Sequence, residues 1–179
     1  MVRVVEVNGY KIELKANLAY ANLEGANLTR ANLKEANLAY AKLEGAELTY
    51  ADLRYANLTG ANLTGAKLEG ASFDNANLTQ ATLTDAYLRD AYLNQAKLEG
   101  ANLTGASLYR ANLIGSNLAY AKLEGANLAY ADLGYANLIR ANLHHANLHH
   151  ANLYGANLKS ATWPDGTIYE GTIYRETDE

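Results

Sequence analysis

Four histidines fall within seven residues: His144, His145, His149 and His150. Four imidazoles so close together are the one local set of metal-ligating groups in the chain, and Zn²⁺ or Ni²⁺ would suit them. A second set belongs to recognition chemistry: Tyr20, Tyr40, Tyr50, Tyr55, Tyr120, Tyr130 and Tyr135 all sit at steps of five from one another. Tyrosine is enriched at binding hot spots, so these seven are the candidate partner surface. Third, AKLEG occurs four times, starting at Ala41, Ala66, Ala96 and Ala121, and sets Lys beside Glu two residues on. Zero Cys excludes a thiolate metal site, a disulfide framework and a cysteine nucleophile. No Gly-rich phosphate loop, paired-carboxylate cleft or nucleophile elbow is present, so the expectation is no enzyme and no cofactor.

What positions these side chains is a repeat of five. From Ala16 to Ala161 every fifth residue is Ala except Ser116. Two residues after each stands Leu, except at Phe73 and Trp163, and Asn lies between in 17 of 30 repeats. A helix wants apolar residues every 3.6 positions and a lone strand every two. Leu every fifth residue would spiral around a helix without forming a stripe. A short extended step plus a turn fits instead: Ala and Leu then share one side and Asn takes the other. Four steps close a coil of 20 residues with Ala and Leu inside.

The two remaining residues of each unit turn the chain. The second is Gly in 10 of 30 repeats, including Gly25, Gly45 and Gly60. Gly supplies the positive φ of a type II turn without strain, so a different turn type is expected where Tyr, Arg or His stands there. Stacked coils would share parallel hydrogen bonds about 4.8 Å apart. On this geometry the four histidines occupy outward turn positions on adjacent faces and diverge. Surface histidine, with no bound metal, is therefore the expectation. Tyr20 and Tyr40 fall one coil apart and are expected to stack.

Ala-(Asn/Asp)-Leu-x-x in unbroken tandem over residues 16 to 163 resembles the pentapeptide repeat family. The resemblance implies an all-β fold, a right-handed four-sided parallel β-helix of about 7.5–8 coils. It also implies a choice of function, because some members of that family imitate duplex DNA and bind type II topoisomerases. A mimic needs a dense negative surface: a 38 Å rod of duplex carries on the order of 20 charges. Residues 16–163 instead hold 12 acidic and 11 basic side chains, and the four faces carry +2, −2, +1 and −2. The chain's net charge of −4 resides in residues 164–179. Each AKLEG lysine is expected to be neutralised by the Glu beside it. Direct nucleic-acid binding is disfavoured too, since no basic stripe appears.

The ends obey other rules. Asn8-Gly9 between Val2–Val7 and Tyr10–Leu14 is a strong hairpin signal, giving an N-terminal cap over residues 1–15. It pairs Val7 with Tyr10, Glu6 with Lys11 and Val5 with Ile12. At the other end GTIYE and GTIYR keep the period, so residues 164–179 either continue the solenoid to Arg175 or form a hairpin cap, followed by an acidic tail. No stretch reaches the ~18 apolar residues of a membrane helix, and no signal peptide is seen; a cytoplasmic protein without membrane contact is expected. Residues 36–60 match 116–140 at 19 of 25 positions, which suits duplication or design from a consensus. The expected function is a non-enzymatic scaffold, a rigid rod whose outer faces bind a protein partner. The rod would be a monomer or an end-to-end dimer through a terminal cap. DNA mimicry is the alternative.

Overall fold

The computed structural model describes residues 5–169. Within them the chain contains no α-helix; it is a β-helix in which each coil pairs with the next. Parallel bridges join residues 20 apart without interruption, from Asn17 with Asn37 to Asn142 with Thr162. The spacing of 20 follows from the hydrogen bonds of a single repeat. In the unit 36–40, Asn37 N–H donates to Ala16 O one coil below, at 2.9 Å, and Leu38 N–H donates to Asn57 O one coil above, at 2.7 Å. Tyr40 N–H reaches Thr59 O at 2.9 Å, and Ala41 N–H closes the turn onto Leu38 O at 3.0 Å. Four of five N–H groups are thereby paired through the backbone.

The fifth explains why the outward position is Asn. Ala39 N–H donates to Asn37 Oδ1 at 3.3 Å. The same side-chain acceptor recurs wherever Asn or Asp occupies the second repeat position, as in Asn62 with Thr64, Asp132 with Gly134 and Asn137 with Ile139. Asx turns of this kind satisfy a donor that would otherwise need water. The Asn amides also climb from coil to coil: Asn57 Nδ2 donates to Asn37 Oδ1 at 3.2 Å, and Asn37 Nδ2 to Asn17 Oδ1 at 3.1 Å. Where Tyr92 takes the position, Asp74 one coil below accepts from Asn94 N–H instead, at 3.0 Å.

The core is the Ala and Leu of successive repeats, fully buried through the middle of the chain, with Phe73 in a Leu position at 0 % exposure. Ser116 stands buried among the alanines.

The turns depart from the sequence expectation. Tyr, Arg and His at the second turn position do not adopt a different turn; they share the left-handed conformation of Gly. Tyr20 has φ 60°, Arg30 58° and His145 59°, beside 62° at Gly25. Tyr20 N–H and Gly25 N–H make the same 2.9 Å bond to the coil above. Stacking fixes the turn, and a side-chain penalty of roughly 1 kcal/mol does not displace it.

Strands β1 (Val5–Val7) and β2 (Tyr10–Ile12) form an antiparallel hairpin with Val7 opposite Tyr10, Glu6 opposite Lys11 and Val5 opposite Ile12. Asn8 and Gly9 both have positive φ, as a type I′ turn requires. Ile12 is buried, and Val7 and Tyr10 pack against the core. The hairpin also caps the first coil's open edge: Asn22 N–H donates to Tyr10 Oη at 3.4 Å, and Asn8 Nδ2 donates to Asn22 O at 3.2 Å.

At the C-terminal end the chain turns back on itself. Strand β3 (Ala161–Thr162) pairs antiparallel with β4 (Ile168–Tyr169), and Gly166 N–H closes a turn onto Trp163 O across Pro164-Asp165. Ile168 is 59 % exposed and outside the Leu column, so the repeat does not run on through it. Tyr169 packs on Trp163 with ring centroids 5.5 Å apart. Ile173, the other residue proposed to extend the column, lies outside the described residues.

Candidate functional site

With a coil of 20, outward residues align in columns of i, i+20 and i+40. The seven tyrosines therefore divide among three columns: Tyr20, Tyr40 and Tyr120 in one, Tyr50 and Tyr130 in a second, Tyr55 and Tyr135 in a third. They do not form a single platform. All but Tyr55 lean along the axis onto what the next coil offers. Tyr20 stacks on Tyr40 at 5.3 Å with planes 12° apart. Tyr40 lies over Gly60, Tyr50 over Gly70 and Tyr135 over Gly155. Tyr120 carries the Arg140 guanidinium at 5.7 Å, and Lys34 sits 5.7 Å from Tyr55. Burial and the neighbouring Tyr154 push the Tyr135 phenol upward from its ordinary pKa.

The histidines come together in two separate pairs. His144 and His145 have ring centroids 3.7 Å apart, and His149 and His150 3.9 Å apart. Among the described residues no group of three or more His, Asp or Glu side chains converges on a point that would hold a metal ion.

His149 and His150 instead top a continuous edge that reading by repeat position overlooks. The second turn positions of four successive coils are Asp90, Arg110, Tyr130 and His150; the first are Arg89, Tyr109, Ala129 and His149. Asp90 Oδ2 accepts from Arg89 Nε at 3.3 Å, and its Oδ1 forms an ion pair with Arg110 Nε at 3.1 Å. Arg89 lies over the Tyr109 ring at 5.3 Å. Tyr109 meets Tyr130 edge-on at 5.6 Å, and Tyr130 contacts His150 at 5.0 Å and His149 at 5.9 Å. Tyr87 and Tyr92, each about half exposed, flank this edge from the Asn positions of the two adjoining faces. Listing the sequence at steps of 20 would have shown the edge; steps of five scatter it over three repeat positions.

The AKLEG pairs differ from expectation. No ion pair joins Lys and Glu within any such unit among the described residues. Lys67 reaches back one coil to Glu47 at 2.8 Å, which raises its pKa. Two Glu side chains reach forward, Glu44 accepting from Asn62 Nδ2 at 2.6 Å and Glu99 from Asn117 Nδ2 at 3.4 Å, whereas Glu69 accepts from Thr49 Oγ1 one coil back at 3.3 Å. In the unit 66–70 both charges thus reach to the coil before rather than to each other. Among the described residues the tightest ion pair is Asp52 with Arg54, two-pronged at 2.6 and 2.8 Å, and it holds the Asp52 carboxyl below the usual range.

No helix of the chain is long and apolar enough to cross a membrane among the described residues. Comparison with curated proteins gave no match. Among solved structures, HetL, a pentapeptide repeat protein involved in heterocyst differentiation regulation from Nostoc sp. strain PCC 7120, is 37 % identical over 87 % of this chain and 86 % of its own, with a TM-score of 0.44. A pentapeptide repeat protein of the Arabidopsis thaliana thylakoid lumen is 31 % identical over 59 % of this chain and 70 % of its own, with a TM-score of 0.40. A trypsin-treated form of QnrB1, a plasmid-mediated fluoroquinolone resistance protein, is 20 % identical over 77 % of each chain, with a TM-score of 0.55; it supports the fold alone. The family description "Pentapeptide repeats" matches residues 15–49, 46–85, 86–119 and 121–159, in eight copies. The chain belongs to the pentapeptide repeat family, whose fold is the right-handed β-helix.

Proposed function

We propose that the chain is a non-enzymatic interaction scaffold: a four-sided rod of about seven and a half coils that binds a protein partner along one edge. The observation that carries this reading is the edge from Arg89 to His150. It gathers the residue types enriched at protein interfaces, Tyr and Arg, on a rigid frame. The filled interior supports the non-enzymatic part, since catalysis wants a concave site with convergent polar groups. A pull-down compares the intact protein with a Tyr109→Ser/Tyr130→Ser variant and a Tyr20→Ser variant, followed by binary binding of whatever is retained. A partner lost only in the edge variant supports the reading; equal retention by all three overturns it.

DNA mimicry is the weaker reading. The rod is close to neutral, and its acidic side chains are tied up in pairs such as Glu47 with Lys67 and Asp52 with Arg54. Inhibition of type II topoisomerase supercoiling by micromolar protein would reverse the ranking.

A further inference from the structure

Asp90, Arg110 and Tyr130 of the edge, with Tyr92, Asn112 and Asp132, line a shallow pocket of about 300 Å³. We propose that it binds a neutral polyhydroxylated ligand, a sugar ring.

Unused hydrogen-bonding capacity is the first argument. Asn112 spends Oδ1 on Ile114 N–H at 3.2 Å; its two amide protons have no protein acceptor among the described residues. Asp132 spends Oδ1 on Gly134 N–H and on Asn152 Nδ2, both at 3.0 Å, while Oδ2 meets no protein donor there. Arg110 engages Asp90 through Nε, which leaves its terminal nitrogens available. Donors from Asn112 and Arg110 thus face the same opening as an acceptor from Asp132. A hydroxyl both donates and accepts, so adjacent hydroxyls on one ring use all three groups.

Charge is the second argument. Asp90 is shared by Arg89 and Arg110, which leaves that trio with one positive charge, and Asp132 supplies one negative. The surroundings balance, so neither a lone cation nor a lone anion gains a net partner.

The walls are the third. Tyr92 and Tyr130 are each about half exposed, and Tyr92 makes no ring contact with another aromatic or cationic side chain among the described residues. The negative face of a phenol ring suits the weakly positive C–H face of a sugar. The pocket volume sits at the small end of ligand sites, which fits one ring rather than a long chain.

The test is an amide NMR titration of the full chain with glucose, galactose, mannose, N-acetylglucosamine and their disaccharides. Glycerol, acetate and N-acetyl-arginine amide serve as controls. The expected result is a saturable shift of the Asn112 side-chain amide and the Ala111 and Gly134 backbone amides with at least one sugar. Affinity should fall tenfold or more in Tyr92→Ala and in Asp132→Asn, and stay unchanged in Tyr20→Ala. Asp132→Asn keeps the oxygen that accepts from Gly134, and an unaltered spectrum elsewhere shows that the fold survives. No shift with any sugar, equal shifts with glycerol, or tighter binding of acetate or the arginine amide would overturn the proposal. None of these outcomes depends on the partner capture described above.

Discussion

The Tyr40 ring occupies the space that a Cβ on Gly60 would need: its Cε1 would stand 2.5 Å from such an atom. The relation recurs, because Tyr50 and Tyr135 likewise lean onto Gly70 and Gly155, the same position one coil later. Gly60→Ala should therefore be destabilised twice, by the left-handed φ of 64° and by displacement of the ring. Gly65 has φ 63° and open space around it, so Gly65→Ala isolates the backbone contribution, roughly 1 kcal/mol. Chemical denaturation should rank Gly60→Ala as the more destabilised, and Tyr40→Ala should remove most of the difference between them. Equal losses at the two glycines would show that the ring moves aside freely.

The interior was the most legible part of the fold. Ala and Leu every five residues leave one burial pattern open, and Leu98 and Ala96 are both fully buried. The role of Asn was half legible. Its outward direction followed from alternation, but its bond to the N–H two residues on, as at Asn37, required the turn geometry. Tyr20 and Arg30 misled, because residue preference suggests a turn that the ladder overrules. The AKLEG units misled for another reason. Sequence proximity said nothing of lean, and Lys67 and Glu69 each reach to the coil before, to Glu47 and Thr49, rather than to each other. At the edge, Tyr109 and Tyr130 occupy different turn positions 21 residues apart, a relation that only the coil length reveals.

Leu98 tests the interior directly. Its side chain is 0 % exposed, in a column with the leucines of the coils above and below. Leu98→Ala opens a hole that rigid stacked coils cannot close, and should destabilise by roughly 2–5 kcal/mol in denaturant titrations. A loss under about 0.5 kcal/mol would be incompatible with an interior Leu98.

Ser116 predicts a gain. It replaces Ala in the buried column, and its hydroxyl oxygen is buried without a hydrogen-bond partner. Ser116→Ala removes an unsatisfied polar group and leaves the shape almost unchanged, so stability should rise by about 1 kcal/mol. A lower melting temperature in the variant would mean that the hydroxyl is satisfied in solution.

Asn137 separates the two jobs of the outward Asn. Its Oδ1 accepts from Ile139 N–H at 3.2 Å, and its Nδ2 donates to Asn117 Oδ1 at 3.0 Å. Asn137→Ala removes both and should destabilise by about 1–2 kcal/mol. Asn137→Asp keeps the backbone acceptor but sets a carboxylate against the Asn117 oxygen. It should fall between Ala and wild type at neutral pH and recover part of the loss in acid. A denaturation series at two pH values reads both effects; equal losses for Ala and Asp would assign the whole role to the amide ladder.

Asp52 makes the acid limb of the stability curve testable. The Arg54 side chain, hydrogen-bonded to both carboxylate oxygens, is the main cause of its lowered pKa; burial opposes, and Arg54 N–H adds to the lowering. A carboxyl whose pKa is lower in the folded chain contributes its full stability above the ordinary Asp value of about 3.9 and loses it as pH falls further. Asp52→Asn should flatten that acid-side loss while keeping the oxygen that accepts from Arg54 N–H. Arg54 is 46 % exposed, so solvent screens the pair, and the neutral-pH penalty should stay under about 1 kcal/mol and shrink in high salt. Urea denaturation of both proteins across pH 2 to 7 reads the difference directly. Parallel curves would mean that Asp52 titrates alike in the folded and unfolded chain, with the Arg54 pair contributing nothing to stability.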